Sequence, residues 1–95
     1  MYKLIVTIVR QEKLESVIAA LKEEQIGFTY YNVKGFCKEV HLYQGDIHDR
    51  IKIEIVAGTE DVEQIKEIII ENACCGLEGD GCLFVYVIDD FVMFS

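Results

Sequence analysis

The stretch Cys74-Cys75-Gly76-Leu77-Glu78-Gly79-Asp80-Gly81-Cys82 gathers the residue types best able to do chemistry in this chain. Glycines let a ligand approach the backbone closely, and successive free N–H groups around Gly79 and Gly81 would make a nest for an anion. The loop is no Walker A motif. It lacks the G-K-[ST] ending and leads into a strand, so no helix N-terminus points at a phosphate. The cysteines offer a soft metal site or a redox pair, and Cys75 and Cys82 would close a disulfide if their Cα atoms came within about 6 Å. Their spacing matches no pair of C-x2-C zinc units. With Cys37 the chain has four cysteines, and thiols in a reducing compartment are ordinarily packed or idle.

His41, Asp46, His48 and Asp49 form a second polar group, between Gly35 and Arg50. Scattered loop histidines make a poor metal set, and contact with a partner protein is the better expectation. Neither a Ser/His/Asp nor a Cys/His unit can be assembled, and Arg10 lies in no glycine-rich phosphate cradle, so catalysis is not expected.

These residues need a scaffold, and the hydrophobic pattern supplies one. Tyr2–Val9 alternates Leu4, Val6 and Ile8 against Ile5 and Val9, apolar on both faces, as in a strand covered on two sides. Glu12–Glu24 spaces Leu14, Val17, Ile18 and Leu21 as one helical face. Phe28–Lys34 is rich in aromatic residues and predicts a second strand, Gly35 ends it, and Arg50–Val56 alternates as a third. Thr59 is the expected N-cap of a second helix that carries Val62, Ile65 and Ile69 to about Ala73. Leu83–Ile88 predicts the fourth strand, and Phe91–Phe94 a short edge strand.

The order is β-α-β-β-α-β in a single domain over residues 1–95, a ferredoxin-like α+β sandwich. Helices then cover one face of the sheet only, while its first and fourth strands are apolar on both. Self-association, sheet against sheet, follows: a few hundred Å2 of covered apolar surface stabilises by several kcal/mol at about 25 cal/mol per Å2.

A net charge of −8, with Arg10 and Arg50 the only arginines, argues against a nucleic-acid backbone as partner. No apolar run is long enough to span a membrane, and the start, Met1-Tyr2-Lys3-Leu4, lacks a signal peptide's pattern, so a cytoplasmic protein is expected.

Four motifs in this order resemble the P-II (nitrogen regulatory protein P-II) signal-transduction family. Val33-Lys34-Gly35-Phe36 resembles its V-K-G-F, Leu42-Tyr43-Gln44-Gly45 its L-Y-R-G, and Lys52-Ile53-Glu54-Ile55-Val56 its K-I-E-I-V. Cys75 to Phe84 follows the pattern T-G-K-I-G-D-G-K-I-F. The resemblance implies a homotrimer with inward-facing sheets, a T-loop at about 36–50 and a B-loop at about 75–82. It implies small-molecule binding in clefts between subunits, with ATP, ADP or AMP as effectors, and docking on a transporter, enzyme or regulator through the T-loop. The cleft residues carried over are Thr29, Gly35, Cys37, Lys38, Val56, Gly79, Asp80 and Gly81. Thr29 and Val56 would face a base or other flat group, and the glycines would offer backbone donors. No metal is expected.

The departures bear on the ligand. The T-loop is shorter than the family's, His48 stands where some members carry a uridylylated tyrosine, and Cys37 and Glu39 replace a glycine and a glutamine. The family's B-loop lysines fall on Leu77 and Cys82, and its C-terminal arginines on Met93 and Ser95. At roughly 1.5–3 kcal/mol for each charged hydrogen bond, losing these removes at least about 6 kcal/mol, enough to take a micromolar polyphosphate site beyond millimolar. Adenine nucleotides are therefore expected to bind weakly. Two alternatives accompany this reading: a metal- or redox-responsive trimer using the cysteines, as the architecture of CutA-type divalent-ion tolerance proteins allows, and a trimeric scaffold with a vestigial cleft.

Overall fold

The computed structural model describes residues 1–35, 47–76 and 81–94. The described strands are β1 (Tyr2–Arg10), β2 (Thr29–Gly35), β3 (His48–Gly58) and β4 (Gly81–Val87); the helices are α1 (Leu14–Glu23) and α2 (Val62–Ala73). They form one antiparallel sheet in the order β2-β3-β1-β4, with α1 following β1 and α2 following β3. This is the expected ferredoxin-like arrangement.

The register explains why β1 had to be apolar on both sides. Ile5 pairs with Ile55 and Val85, and Val9 with Ile51, on the face that α1 and α2 cover. Val17 and Leu21 of α1 and Ile65 and Ile69 of α2 complete that core with Ile53. Thr7 is the buried polar residue of this layer, and its hydroxyl donates to the Cys82 carbonyl at 2.8 Å, which satisfies it. The opposite face carries Leu4, Val6 and Ile8 of β1, Val56 of β3, and Phe84 and Tyr86 of β4, by the alternation of the pleat. No described helix lies over that side. Val56 is 41%, Phe84 37% and Tyr86 54% exposed.

Both helices begin with a short 3-10 turn, Gln11–Lys13 and Thr59–Asp61. Thr59 is not the N-cap predicted for α2. Its hydroxyl and its backbone N–H both go to the Met1 carbonyl, at 3.3 and 3.1 Å, so they fasten the chain start to the β3–α2 corner. The tight position after α1 is Gln25, which takes φ 58°, with the Gln25 and Ile26 N–H groups donating to the Lys22 and Leu21 carbonyls. Phe91–Phe94 forms no strand. Of its apolar residues Phe91 packs, its ring 4.9 Å from that of Tyr2, while Val92, Met93 and Phe94 stand exposed.

Candidate functional site

The pairing of β2 with β3 sets the geometry. Thr29 stands opposite Glu54, and Val56 is two residues further along β3 on the same face, so Thr29 and Val56 are diagonal neighbours. They share a hollow of about 300 Å3 on the uncovered side of the sheet. Leu4 and Val56 contribute aliphatic surface to it and Phe91 a ring, while Phe28 borders it with its side chain packed on the helix-side core. Met93, exposed, borders it from the C-terminal segment, and Glu54 supplies a carboxylate. Tyr31, next on that face of β2, donates its hydroxyl to Glu54 Oε2 at 3.2 Å.

The other described candidates lie elsewhere. Gly35 pairs with His48 at the far end of β2, six residues from Thr29, or about 20 Å at ~3.3 Å per strand residue. Gly81 opens β4 opposite Val9, towards that same far end. Its lack of a side chain has a local reason, because a Cβ there would run into the Ile8 carbonyl oxygen. Within one chain, Thr29 and Val56 therefore meet, and Gly35 and Gly81 do not join them. Cys37, Lys38, Gly79 and Asp80 lie outside the described residues, as do Asp46 and His41.

Two exposed ion contacts flank the hollow's strands. Lys34 donates to Asp49 Oδ1 at 2.6 Å, and this hydrogen bond, then the Lys34 charge, holds the Asp49 carboxyl below the ordinary carboxylate value. Lys52 places its ammonium 5.6 Å from the Tyr31 ring centre. Hydrogen bonding to Tyr31, then attraction to the same phenol, holds that ammonium above the ordinary lysine value. Tyr31 thus ties Lys52 and Glu54 together on the uncovered face.

The cysteines are divided by the fold. Cys74 and Cys75 follow the end of α2, and both are exposed. Cys82 alternates with Leu83, which packs on the helix-side core, and so belongs with Phe84 and Tyr86 on the other face. A second hollow, of about 360 Å3, lies where α2 meets β1 and β4, bordered by Ile69, Ala73, Cys74 and Leu83. Among the described residues no three His, Cys, Asp or Glu side chains gather as a metal centre requires.

Sequence reasoning missed Glu54 and Phe91 as walls of the hollow, and reached Met93 only as a position where the family's arginine is lost. The signal for Glu54 was available, since it shares the parity of Val56 on β3. Phe91 had none, because its place depends on the ring contact with Tyr2.

Comparison with known proteins now decides the family. The profile of the family described as nitrogen regulatory protein P-II matches residues 2–95. The chain belongs to the P-II family. It is 36% identical to nitrogen regulatory protein P-II 2 of Methanothermobacter thermautotrophicus over 95% of this chain and 86% of that one. It is 40% identical to the P-II protein of Pyropia yezoensis over 92% of this chain and 86% of that one. The crystal structure of Arabidopsis thaliana PII bound to citrate superposes with a TM-score of 0.83 at 31% identity, covering 97% of this chain and 79% of that chain. The resemblance read from four motifs is thereby established over nearly the whole length. P-II proteins are regulators in nitrogen signal transduction, and this chain is a P-II family regulatory protein.

Proposed function

We propose that this P-II chain works as a homotrimer that binds a small effector in the clefts between its subunits and controls a partner protein through its short T-loop, residues 36–50. The observation that carries the reading is the uncovered sheet face. Leu4, Val56, Phe84 and Tyr86 form an apolar surface on the side away from both helices, and burying such a surface stabilises by about 25 cal/mol per Å2. Sheets turned inward in three copies would bring the hollow beside Thr29 and Val56 to a subunit boundary. The remaining cleft residues proposed are Gly35, Cys37, Lys38, Gly79, Asp80 and Gly81, with the glycines as backbone donors.

The effector site would accept ATP, ADP or AMP weakly, since the hollow is lined by no basic side chain among the described residues. The citrate in the Arabidopsis relative's title belongs to that protein; here an anion would face Glu54. The protein partner is a transporter, an enzyme or another regulator, and the role is one of binding without catalysis. No helix among the described residues is long and apolar enough to cross a membrane, and the reading places the protein in the cytoplasm.

Coupling would arise because one loop serves as both cleft wall and docking surface. Hydrogen–deuterium exchange over residues 36–50 tests it. Saturating nucleotide should slow exchange there relative to the ligand-free protein. Identical exchange with ATP, ADP and AMP at millimolar concentration would count against nucleotide sensing and favour a vestigial cleft.

A further inference from the structure

We infer that residues Val92, Met93 and Phe94 form a strap by which one copy of this chain docks on β4 of the next, head to tail. The inference rests on the homotrimer of the proposed function and names the segment that joins its subunits. After β4 the chain turns back beneath the uncovered face of its own sheet. The Ile88 N–H donates to the Tyr2 carbonyl at 3.4 Å, and the Phe91 ring then lies 4.9 Å from that of Tyr2 on β1. Phe91 and Met93 border the hollow shared with Leu4 of β1, Val56 of β3 and Thr29 of β2. The segment has thereby crossed from the β4 edge of the sheet to the β2 edge. There its own body no longer covers it: Val92 and Met93 stand exposed, and Phe94 is 90% exposed.

Contiguous apolar side chains left in water mark a contact surface, and the matching surface lies at the opposite edge. β4 ends the order β2-β3-β1-β4, so its outer backbone groups face no partner strand among the described residues. Phe84, Val85, Tyr86 and Val87 are exposed along it. The Phe84 and Tyr86 rings meet edge-on at 5.5 Å and offer aromatic surface to Phe94. Charge favours this pairing over any other. Two chains of −8 repel, yet neither Val92–Phe94 nor Gly81–Val87 contains an acidic or basic residue. Within one chain Phe94 has left β4 behind, since three strand spacings, about 14 Å, separate β4 from β2. A donor at one edge and an acceptor at the other make a heterologous contact, which closes into a ring of three copies.

The test places a benzophenone side chain at position 94 of the chain in its native assembly. Light and heavy-isotope chains are mixed, irradiated, digested and mapped by mass spectrometry. The cross-link should join position 94 of one copy to β4 of another. Cross-links confined to one chain, or reaching the helices of a second copy, overturn the inference. Deleting residues 92–95 keeps Phe91, so it should leave circular dichroism unchanged while weakening assembly at least tenfold in sedimentation; assembly of unchanged strength overturns it. Direction is read by mixing that deletion, which lacks the strap, with Tyr86→Asp, which lacks the docking surface. Each alone should sediment as a single chain, and the mixture should give a two-chain species through its one intact junction. A mixture that stays at one chain mass contradicts the head-to-tail contact. The signalling proposal is judged separately: a trimer that persists without residues 92–95 sinks the strap and leaves effector binding and T-loop coupling standing.

Discussion

At the scale of single residues, charge and close approach carry the testable content. Asp49 has a depressed folded pKa because Lys34 donates to it. Whatever that pair contributes is present above the unfolded value near 4 and is lost as pH falls through the lower folded value. Carbon-13 NMR titration should therefore place the Asp49 carboxyl midpoint below 3.8, and Lys34→Met should move it back up; an unmoved midpoint would remove Lys34 as the cause. Lys52 has the opposite sign. Its contribution is complete below the unfolded value near 10.5 and is lost as pH rises through the higher folded value. Gly81 is a steric case. Alanine there must push β4 off the Ile8 backbone, so Gly81→Ala should destabilise by about 1–3 kcal/mol in urea unfolding, and a neutral result would mean that the β1–β4 approach is looser than described.

At the scale of elements, the sequence was most legible where burial forces a period. Ile51, Ile53 and Ile55 announced β3, and the spacing of Leu14, Val17 and Leu21 announced α1, because the core admits one face of each. Ends were harder. β3 extends from His48 to Gly58, beyond the alternating run on both sides, since pairing with β1 and β2 continues through polar residues. Phe91–Phe94 looked like a strand because ring packing and strand pairing use the same residues. Of the candidate site, the Thr29–Val56 neighbourhood came from the motifs. Glu54 needed the register that sets it opposite Thr29, and Phe91 the ring contact with Tyr2, both of which join residues distant in sequence. Gln25 gives the element-scale prediction. A non-glycine residue at φ 58° costs roughly 1 kcal/mol, so Gln25→Gly should raise the urea midpoint by an amount equal to about that energy, and no gain would contradict the strain.

At the scale of the whole molecule, the helices and their acids form one layer and the apolar uncovered sheet face the other. Glu15, Glu23, Glu63, Glu67 and Glu71 stand exposed on or beside the helices, which keeps that layer in water and leaves the sheet face for association. Phe84, 37% exposed on that face, should be a principal contact. Burying a phenylalanine is worth about 1.5–3 kcal/mol, so Phe84→Asp should weaken assembly more than tenfold while leaving the helix-side core intact by circular dichroism.

The effector pocket, the choice of ligand and the T-loop's dual role all depend on subunits meeting across this face. Sedimentation equilibrium of the purified protein at micromolar concentration tests that directly. The account predicts a single species of three times the 10.9 kDa chain mass, shifted towards one chain mass by Phe84→Asp. A stable 10.9 kDa species that persists as concentration rises would contradict it.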